Sequence, residues 1–516
     1  MHPLSERDIA EQIFDVVVVG GGVNGTASLR ELARAGYRTL LVEADDLASG
    51  ASGRSSRMLH CGLRYLETEN PILDALRHPG RFFKALGMAG DAMRARAELA
   101  DDDTVATRAI ELGFPVWESG PFPLWQLSAG LKLLEFVGPG NPPLDRARLN
   151  ADETRQHPIG RHLRDPGKLK GMVTFREYLF ESPERLCVDN AMDAEAHGAE
   201  LVLKTRAEIR ERDNEGLWRI ALDGPRGTRE VRARVVLNMA GSWADGLGHF
   251  KKRLIQGTKG AHIIVRLPEG FADRGIATLH RGGHPFYGLP MGENRFYFGP
   301  TETLFEGDAR RVRADADDVE FLLAEANHLL PGLGLKRSDI EQTWAGVRPL
   351  THDPERPMGA RERTVHDLAP QGFGNVLAMT GGPVMSSRGA GRLMLTEVGK
   401  RLGAPPPVSR DIRASSANSG RDPAVLAVTH EHAPDLYGVL AQRTGAVWSG
   451  RLERAEAERA ARKVASHFGW DDTRTEQEID AFLVRQDTSF QVPSAIEDNP
   501  DQPGENQNNL SDWRTK

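Results

Sequence analysis

The chain has 516 residues, of which 39% are hydrophobic and 27% are charged, and its formal net charge is −7 at pH 7. A globular chain of this length is expected to form two or three domains. The negative charge argues against nucleic acid as the main partner. With only Cys61 and Cys187, the chain has too few cysteines for a disulfide framework and suits a reducing compartment.

The sequence before the first predicted strand is polar, and no apolar run reaches the length of about 18 residues that a membrane span requires. We therefore expect a cytoplasmic protein that does not span a membrane. No metal-ligand spacing is present, so we predict no metal site. The His430-Glu431-His432 triplet is interpreted as a helix start or a surface feature rather than as a ligand set.

A β-branched run at 16–19 leads directly into Gly20, Gly22 and Gly25, which form the pattern G-x-G-x-x-G. The run is typical of a strand buried on both faces. In such a turn one glycine allows the tight bend, a second lets the backbone approach a pyrophosphate, and a third lets the helix pack on the strand. The N-terminus of that helix offers unpaired N–H groups to the phosphates.

The predicted helix carries Leu29 and Leu32 on one face and ends at Gly36, and a second strand at 39–42 leads into Glu43. A carboxylate at this position can accept hydrogen bonds from both ribose hydroxyls and would repel a 2′-phosphate, which disfavours NADP. The pattern predicts an adenine dinucleotide site but does not choose between NAD and FAD. The alternative is a glycine-rich turn with no ligand.

The next segment, 44–67, reads ADDLASGASGRSSRMLHCGLRYLE. It resembles a segment of the FAD-dependent glycerol-3-phosphate dehydrogenase family, within the D-amino-acid-oxidase-like flavoproteins. Cys61 replaces a glycine of the family, whereas the positions that match the family pattern are Ser52, Ser55, Ser56, His60, Gly62, Leu63, Arg64 and Tyr65. The resemblance implies that the cofactor is FAD and that the three serines, Gly62 and Leu63 contact it.

Further matches occur in the family's order along 14–485. The resemblance places Ala207 near the adenine, and it places Ala240 and Gly241 at a second dinucleotide contact after a predicted strand at 233–238. Another predicted strand, at 375–380, leads into a helix whose first residues would face the flavin. The cofactor contacts implied there are Gly381, Gly382, Pro383, Met385 and Ser386.

The expected fold is α/β, with a Rossmann-like FAD-binding domain, an antiparallel-sheet substrate domain and a C-terminal helical domain. We assign 12–70, 171–250 and 346–408 to the FAD-binding domain, and 71–170 and 251–345 to the substrate domain. The helical domain is expected to span 415–490. The tail at 491–516 is predicted to be disordered, because it is polar and rich in Asn, Asp and Pro.

A flavin enzyme that oxidises a secondary alcohol needs a base for the hydroxyl proton and cations for any phosphate. By the resemblance, His60 is our first choice for proton transfer, since its pKa class suits neutral pH. Arg348, in the family-like string TWAGVRPL at 343–350, is assigned to the catalytic centre. The alternative roles are a histidine that only shapes the flavin pocket and an arginine in a structural ion pair.

The resemblance also implies a set of residues that bind the substrate, namely Arg64, Tyr65, Lys259, and one of Arg361 and Arg363. In this set Tyr65 would donate a hydrogen bond and the other side chains would supply positive charge. The alternative for Arg64 is a structural ion pair. For Arg361 and Arg363 the alternative is a solvated loop charge.

One departure from the family concerns the substrate. The family string Gly-Gly-Lys-Leu-Thr-Thr-Tyr-Arg is replaced here by GGPVMSSR at 381–388, so that Pro383 stands where the family has a substrate-binding lysine. Proline is well tolerated in the first turn of a helix, so the fold need not change. Either another cation such as Lys259 compensates, or the substrate is not glycerol 3-phosphate.

We therefore expect oxidation of the secondary alcohol of glycerol 3-phosphate or a related polyol phosphate by hydride transfer to flavin N5, with electrons passed to a quinone. Two alternatives stay open: an FAD enzyme for a non-phosphorylated hydroxy or amino compound, and a flavin-containing binding protein without turnover. A homodimer is also left open. The stretch 124–137, with Trp125, is predicted to be an amphipathic helix that packs on the substrate domain or contacts a membrane surface.

Overall fold

The computed structural model describes residues 9–63, 79–120, 122–405 and 420–494. Its strands in chain order are β1 (Ile13–Val19), β2 (Thr39–Val42), β3 (Met58–Leu59), β4 (Thr107–Trp117), β5 (Ala147–Asn150), β6 (Leu169–Phe180), β7 (Glu200–Val202), β8 (Arg206–Arg212), β9 (Trp218–Gly224), β10 (Gly227–Asn238), β11 (Ile255–Arg266), β12 (Arg274–Leu279), β13 (Pro285–Gly292), β14 (Arg295–Gly299), β15 (Thr303–Leu304), β16 (Ile340–Asp353), β17 (Arg356–Ala360), β18 (Thr364–Asp367) and β19 (Val376–Thr380).

The α-helices of the described residues are α1 (Val23–Ala35), α2 (Pro79–Ala100), α3 (Leu124–Val137), α4 (Ala151–Gln156), α5 (Pro183–Ala196), α6 (Ala316–Leu329), α7 (Ser387–Leu402), α8 (Pro423–Thr429), α9 (Arg454–Phe468) and α10 (Asp472–Phe490). None of them combines the length and the apolar character needed to cross a bilayer. A π-helical turn, Gly438–Arg443, lies between α8 and α9.

The first sheet has the order β18-β19-β10-β1-β2-β7, and β9 and β8 extend it from β10. Strands β19, β10, β1, β2 and β7 run parallel, so their carboxyl ends meet at one edge. Helices α1, α5 and α7 bury one face of this sheet through side chains such as Leu32, Val188 and Met394. In open parallel sheets a ligand binds outside the carboxyl ends of the strands, which makes this edge the place to look for a cofactor.

The second sheet has the order β17-β16-β11-β14-β13-β12-β4-β6-β3, with β15 paired to β11 and β5 paired to β6. Its pairs are antiparallel except for β4 with β12. Strands β11 and β16 pair from Ile255 opposite Thr351 to Val265 opposite Ile340, which brings the string TWAGVRPL beside β11. Helix α6 packs on this sheet through Val319 and Leu322.

The described C-terminal residues, 420–494, form a separate layer, which we call the C-terminal helical layer. Helices α9 and α10 pack on each other, and their buried side chains include Ala457, Ala461 and Phe482. Helix α10 also contacts β16, and the π-helical turn contacts α5. The helical layer therefore touches the second sheet directly and a helix that packs on the first sheet.

The expected fold class is confirmed, but two predicted domain boundaries fall inside strands. Strands β6 and β16 lie wholly in the second sheet, whereas the predicted boundaries at 171 and 346 cut them.

Two smaller expectations also change. The triplet at 430–432 follows the end of α8 instead of starting a helix, and His432 lies 2.8 Å from Glu195. The carbonyl of Gln491 accepts a hydrogen bond from Thr343 at 2.7 Å, so the predicted disordered tail cannot begin at 491. The residues from 495 onward lie outside the described ranges.

Candidate functional site

The glycine turn after β1 is built by close backbone approaches. Gly20 has φ +116°, and a Cβ there would lie 2.4 Å from the carbonyl oxygen of Met239. A Cβ on Gly25 would lie 2.0 Å from the carbonyl oxygen of Gly20. No side chain fits at either position, so the turn can form only with glycine. Gly22 is the N-cap residue of α1.

Glu43 lies at the carboxyl end of β2, next to this turn. Its carboxylate accepts hydrogen bonds from the N–H of Gly21 at 2.6 Å and from the N–H of Asp45 at 2.8 Å. Burial raises the pKa of Glu43 to about 7. The carboxylate is therefore positioned beside the turn, as a ribose-binding group would be, and is close to the balance between its two protonation states at neutral pH.

Ser52 closes the other side of the turn. Its Oγ accepts a hydrogen bond from the N–H of Val23, the first residue of α1, at 3.0 Å. One further polar atom at this helix start, Asn24 Oδ1, is buried and has no hydrogen-bond partner among the described residues.

Two predicted contacts lie along the same edge of the first sheet. Ala240 follows β10, and its Cα would lie 3.0 Å from a Cβ on Gly20. Gly241 begins the short 3₁₀ helix Gly241–Leu247. On β8, Ala207 lies two residues beyond Thr205, whose N–H donates to the carbonyl of Glu43 at 2.9 Å. These residues are therefore brought near the turn.

A cavity of about 220 Å³ lies at this edge, between the two sheets. It is bounded by many of the predicted site residues, namely Ser55, Ser56, His60, Arg348, Arg361, Gly381, Gly382 and Pro383. The described lining includes four arginines and no aspartate or glutamate; the two arginines beyond the predicted set are Arg54 and Arg57. The cavity is thus suited to an anionic ligand.

Arg348 lies across Gly260 of the neighbouring strand. A Cβ on Gly260 would lie 2.2 Å from Arg348 Nη2, so only glycine leaves room for the guanidinium there. Both terminal nitrogens of Arg348 lie at long hydrogen-bond distance, 3.4 and 3.5 Å, from the carbonyl oxygen of Thr301. Arg361 forms an ion pair with Glu302. Arg361 therefore shares its charge with a carboxylate.

Several predicted residues surround the cavity without bounding it. Arg363 Nη2 donates to the carbonyl of Ser386 at 2.6 Å and braces the turn that leads into α7. Met385 is buried, and its sulfur accepts a hydrogen bond from the N–H of His60 at 3.3 Å. Gly62 is also buried, and the side chain of Leu63 lies against Gly130 of α3 rather than toward the cavity. Arg64 and Tyr65 lie outside the described residues.

The structure places the predicted substrate-binding residue Lys259 away from the residues that bound the cavity. Lys259 is 5% exposed, and its ammonium forms ion pairs with Asp315 and with Asp318, the latter at 2.8 Å. Side chains alternate across a strand, and Gly260 and His262 are the residues of β11 that bound the cavity. Lys259 is therefore committed to the opposite face and cannot replace the missing lysine.

His262 is a cavity residue that the sequence analysis did not select. It is 3% exposed and stacks on Trp344 with ring centroids 4.3 Å apart. Neither ring nitrogen has a hydrogen-bond partner among the described residues. Burial lowers the pKa of His262 well below 6.5, so its ring is neutral at physiological pH. In the sequence, Gly260 and His262 are two residues apart and therefore lie on the same face of a strand. This spacing could have identified His262 as a site residue.

Glu177 is a second residue that the sequence did not point to. Its buried carboxylate accepts a hydrogen bond from the N–H of Cys61 at 2.7 Å and lies 3.3 Å from the guanidinium of Arg96, which is fully buried. The contact fixes the backbone next to His60. No motif marks Glu177, because it lies 116 positions along the chain from Cys61.

A parallel sheet with a glycine turn, joined to an antiparallel sheet across a basic cavity, defines a dinucleotide-dependent oxidoreductase. The chain belongs to the FAD dependent oxidoreductase (DAO) family, whose profile matches residues 15–396. Its cofactor is accordingly FAD, and the glycine turn and Glu43 fit the adenosine and pyrophosphate half of that molecule.

Relatives of known name agree with this assignment. The chain is 28% identical over 420 residues to a glycerol-3-phosphate dehydrogenase of Synechocystis sp., covering 77% of this chain and 72% of the relative. It is 27% identical over 397 residues to an alpha-glycerophosphate oxidase of Streptococcus pneumoniae, covering 73% and 60%. The fold matches a Bacillus halodurans glycerol-3-phosphate dehydrogenase solved with FAD, with a TM-score of 0.69, 20% identity, and 93% and 96% coverage.

The pKa of Glu43 gives a testable dependence of FAD affinity on pH. Ribose hydroxyls donate to the charged carboxylate, so FAD binding favours the deprotonated form. Below a pH of about 7 we expect the dissociation constant for FAD to rise by up to about tenfold per pH unit, and above it to level off. Flavin fluorescence quenching on titration of the apoprotein measures this. Glu43→Gln should bind FAD more weakly and with no such dependence, and an equal slope in both proteins would refute the assignment.

Proposed function

We propose that the protein oxidises the secondary alcohol of glycerol 3-phosphate or of a related polyol phosphate. The observation that carries this proposal is the cavity lining, with Arg54, Arg57, Arg348 and Arg361 and no carboxylate among the described lining residues. Arginine binds phosphate through a planar fork of donors. The names of the relatives support the same substrate class.

FAD supplies the chemistry of hydride acceptance at its flavin ring. The residues of the chain do the rest. Arg348 is assigned to hold the anionic end of the substrate, since its guanidinium is fixed across Gly260 at the wall of the cavity. A base must take the hydroxyl proton as the carbinol hydrogen leaves.

Two histidines, His60 and His262, bound the cavity and compete for the role of base. We assign the role to His262. Its ring is held between Trp344 and Tyr297, its nitrogens have no partner among the described residues, and its lowered pKa keeps it neutral and able to accept a proton. In this scheme His60 shapes the floor of the cavity, where its backbone is tied to Met385.

A second candidate function is oxidation of a non-phosphorylated hydroxy or amino compound. The observation that favours this function is Pro383, which bounds the cavity. The family that this sequence resembles has a substrate-binding lysine at that position. Proline supplies neither the ammonium nor a backbone N–H. Lys259 does not compensate, because it is paired with Asp315 and Asp318.

We also propose that electrons pass to a quinone at a membrane surface. Helix α3 has an exposed stripe formed by Trp125, Ala129, Lys132 and Phe136, spaced three or four residues apart. Trp125 is 58% and Phe136 is 86% exposed. On α2, Phe83 is 67% exposed, and α2 packs on α3. Aromatic rings beside a lysine on one helix face are typical of helices that lie in the membrane interface.

Anaerobic reduction of the bound flavin tests the substrate. Glycerol 3-phosphate is expected to bleach the yellow enzyme, whereas glycerol, which lacks the phosphate, should do so at least about a hundredfold less efficiently, because truncating the anion removes charge-assisted hydrogen bonds. Stopped-flow absorbance measures both rates. Bleaching by unphosphorylated hydroxy acids or amines alone would select the second candidate, and no bleaching by any of these compounds would favour a protein without turnover.

Substitution of each histidine in turn tests which of the two acts as the base. His262→Asn is expected to lower kcat by about 10²- to 10⁴-fold with little change in KM, because general base catalysis is lost while binding persists. His60→Asn, which alters the same cavity, should have a much smaller effect. The wild-type rate should stay flat as pH falls to 6.5, since the pKa of His262 lies well below that value. A larger loss for His60→Asn would reverse the assignment.

Vesicle binding tests the exposed stripe. Trp125→Ser with Phe136→Ser should weaken co-sedimentation with vesicles of phosphatidylglycerol and phosphatidylcholine by about tenfold or more, because each aromatic ring that enters the interface contributes about 1.5–3 kcal/mol. Val484→Ser is the matched control, because Val484 is 67% exposed on α10, away from the stripe. If wild-type protein stays in the supernatant, α3 does not contact membranes.

A further inference from the structure

The C-terminal helical layer contacts the segment that follows Glu43, which we call the cofactor segment and define as residues 45–57. Near its start, Asp46 and Arg443 form an ion pair with 2.5 Å between Oδ2 and Nη1. The two side chains are 1% and 0% exposed. The other carboxylate oxygen of Asp46 accepts a hydrogen bond from the N–H of Leu47 at 2.7 Å. The pair thus fixes the backbone where the segment turns away from Glu43.

The π-helical turn Gly438–Arg443 is what delivers this arginine. Arg443 is its last residue, and the guanidinium also donates to the carbonyl of Glu431 at 2.9 Å. A Cβ on Gly438 would lie 2.7 Å from Asp46 Oδ2, so the turn can approach the carboxylate only with glycine there. Single π-helical turns of this kind occur frequently at functional sites. Here the turn places a buried cation against the cofactor segment.

Asp45 makes a second set of contacts beside the first. Its carboxylate lies 2.5 Å from Lys204 Nζ and 2.7 Å from Arg485 Nη2 of α10. Lys204 in turn lies 2.8 Å from Asp435. The N–H of Asp45 donates to Glu43, so these charges are joined directly to the carboxylate that is positioned for the ribose.

The far end of the cofactor segment is held by the same layer. The guanidinium of Arg57 stacks over the ring of Trp448 at 4.4 Å. Trp448 Nε1 donates to Glu184 at 2.8 Å, and Glu184 also pairs with Arg57 at 3.4 Å. Ser52 lies between the two ends, and its Oγ accepts a hydrogen bond from the first residue of α1. Ser55 and Ser56, which bound the cavity, also lie there.

We propose that the C-terminal helical layer is a cofactor-retention element, in which Arg443 and Arg485 hold the cofactor segment in the shape that binds FAD. Both arginines are positioning residues, since they act through Asp46 and Asp45. Because binding energies are linked, FAD should in turn hold the helical layer in place. The proposal depends on the family's cofactor and not on which substrate is oxidised.

Equilibrium binding of FAD to the apoprotein tests this proposal independently of catalysis. Arg443→Gln leaves a buried carboxylate without its cation, and we expect the dissociation constant for FAD to rise by at least about tenfold, mainly through faster release. Asp46→Asn should act similarly. The double variant should lose less than the product of the two single effects, because the pair is removed as a unit.

A matched control distinguishes retention from general stability. Arg451 lies 2.9 Å from Asp487 of α10, within the helical layer, and its described ion pairs are with Asp487 and Glu453, outside the cofactor segment. Arg451→Gln should leave FAD affinity within about twofold of wild type, as expected for an exposed pair. The unfolding temperature of each apoprotein is measured alongside. A role in fold stability alone would lower that temperature without changing the affinity of the folded protein.

If Arg443 cannot be replaced without loss of folding, the more exposed pair of Arg485 with Asp45 tests the proposal instead. Should Arg443→Gln fail to fold by circular dichroism, Arg485→Gln replaces it, because Arg485 and Asp45 are each 31% exposed. Its expected effect on FAD affinity is about three- to tenfold and should diminish at high salt, where such pairs are screened. Unchanged FAD affinity in a folded Arg443→Gln protein, or in Arg485→Gln when only that variant folds, would overturn the proposal.

Discussion

The structure depends on one close approach, that of the Gly20 backbone to Met239 at the carboxyl ends of β1 and β10. With a Cβ these two strands could not stay in register, since the added atom would lie 2.4 Å from a carbonyl oxygen. The same turn admits α1 through Gly25. Once β1, β2, β10 and β19 are parallel neighbours, Glu43, Ala240 and Gly381 must all lie at one edge. The position of the cavity therefore follows from the packing of the backbone and not from the side chains.

The adenosine half of the cofactor site could be predicted from sequence because it is local. Strand, turn, helix and second strand lie within 13–43, and their patterns follow from periodicity and from glycine geometry. Glu43 directly follows the second strand, so its position can be predicted from the local sequence alone. The helices around 124–137 and 387–402 were predicted for the same reason, since apolar spacing alone indicates their buried faces.

The substrate half could be predicted only in part, because its contacts join distant segments. The string at 343–350 identified Arg348, but only the pairing of β11 with β16 places Gly260 beneath it. Strand alternation gives Lys259 and the adjacent Gly260 opposite faces of β11. The ion pair of Asp46 with Arg443 joins residues 397 positions apart, and nothing in either local sequence marks it.

The distribution of buried charge bears on the proposed phosphate substrate, because Pro383 bounds the cavity where a substrate-binding lysine was expected. A phosphate monoester carries about −1.5 to −2 charges at neutral pH, so it needs cations that are not already neutralised. Arg57 is committed to Glu184 and Trp448, and Arg361 to Glu302. Moving Lys259 into the cavity would abandon two carboxylates, one of them almost fully buried, at a cost of about 3–5 kcal/mol. Arg348 is fixed across Gly260 at the wall of the cavity, and we therefore propose it as the main contact for the anion.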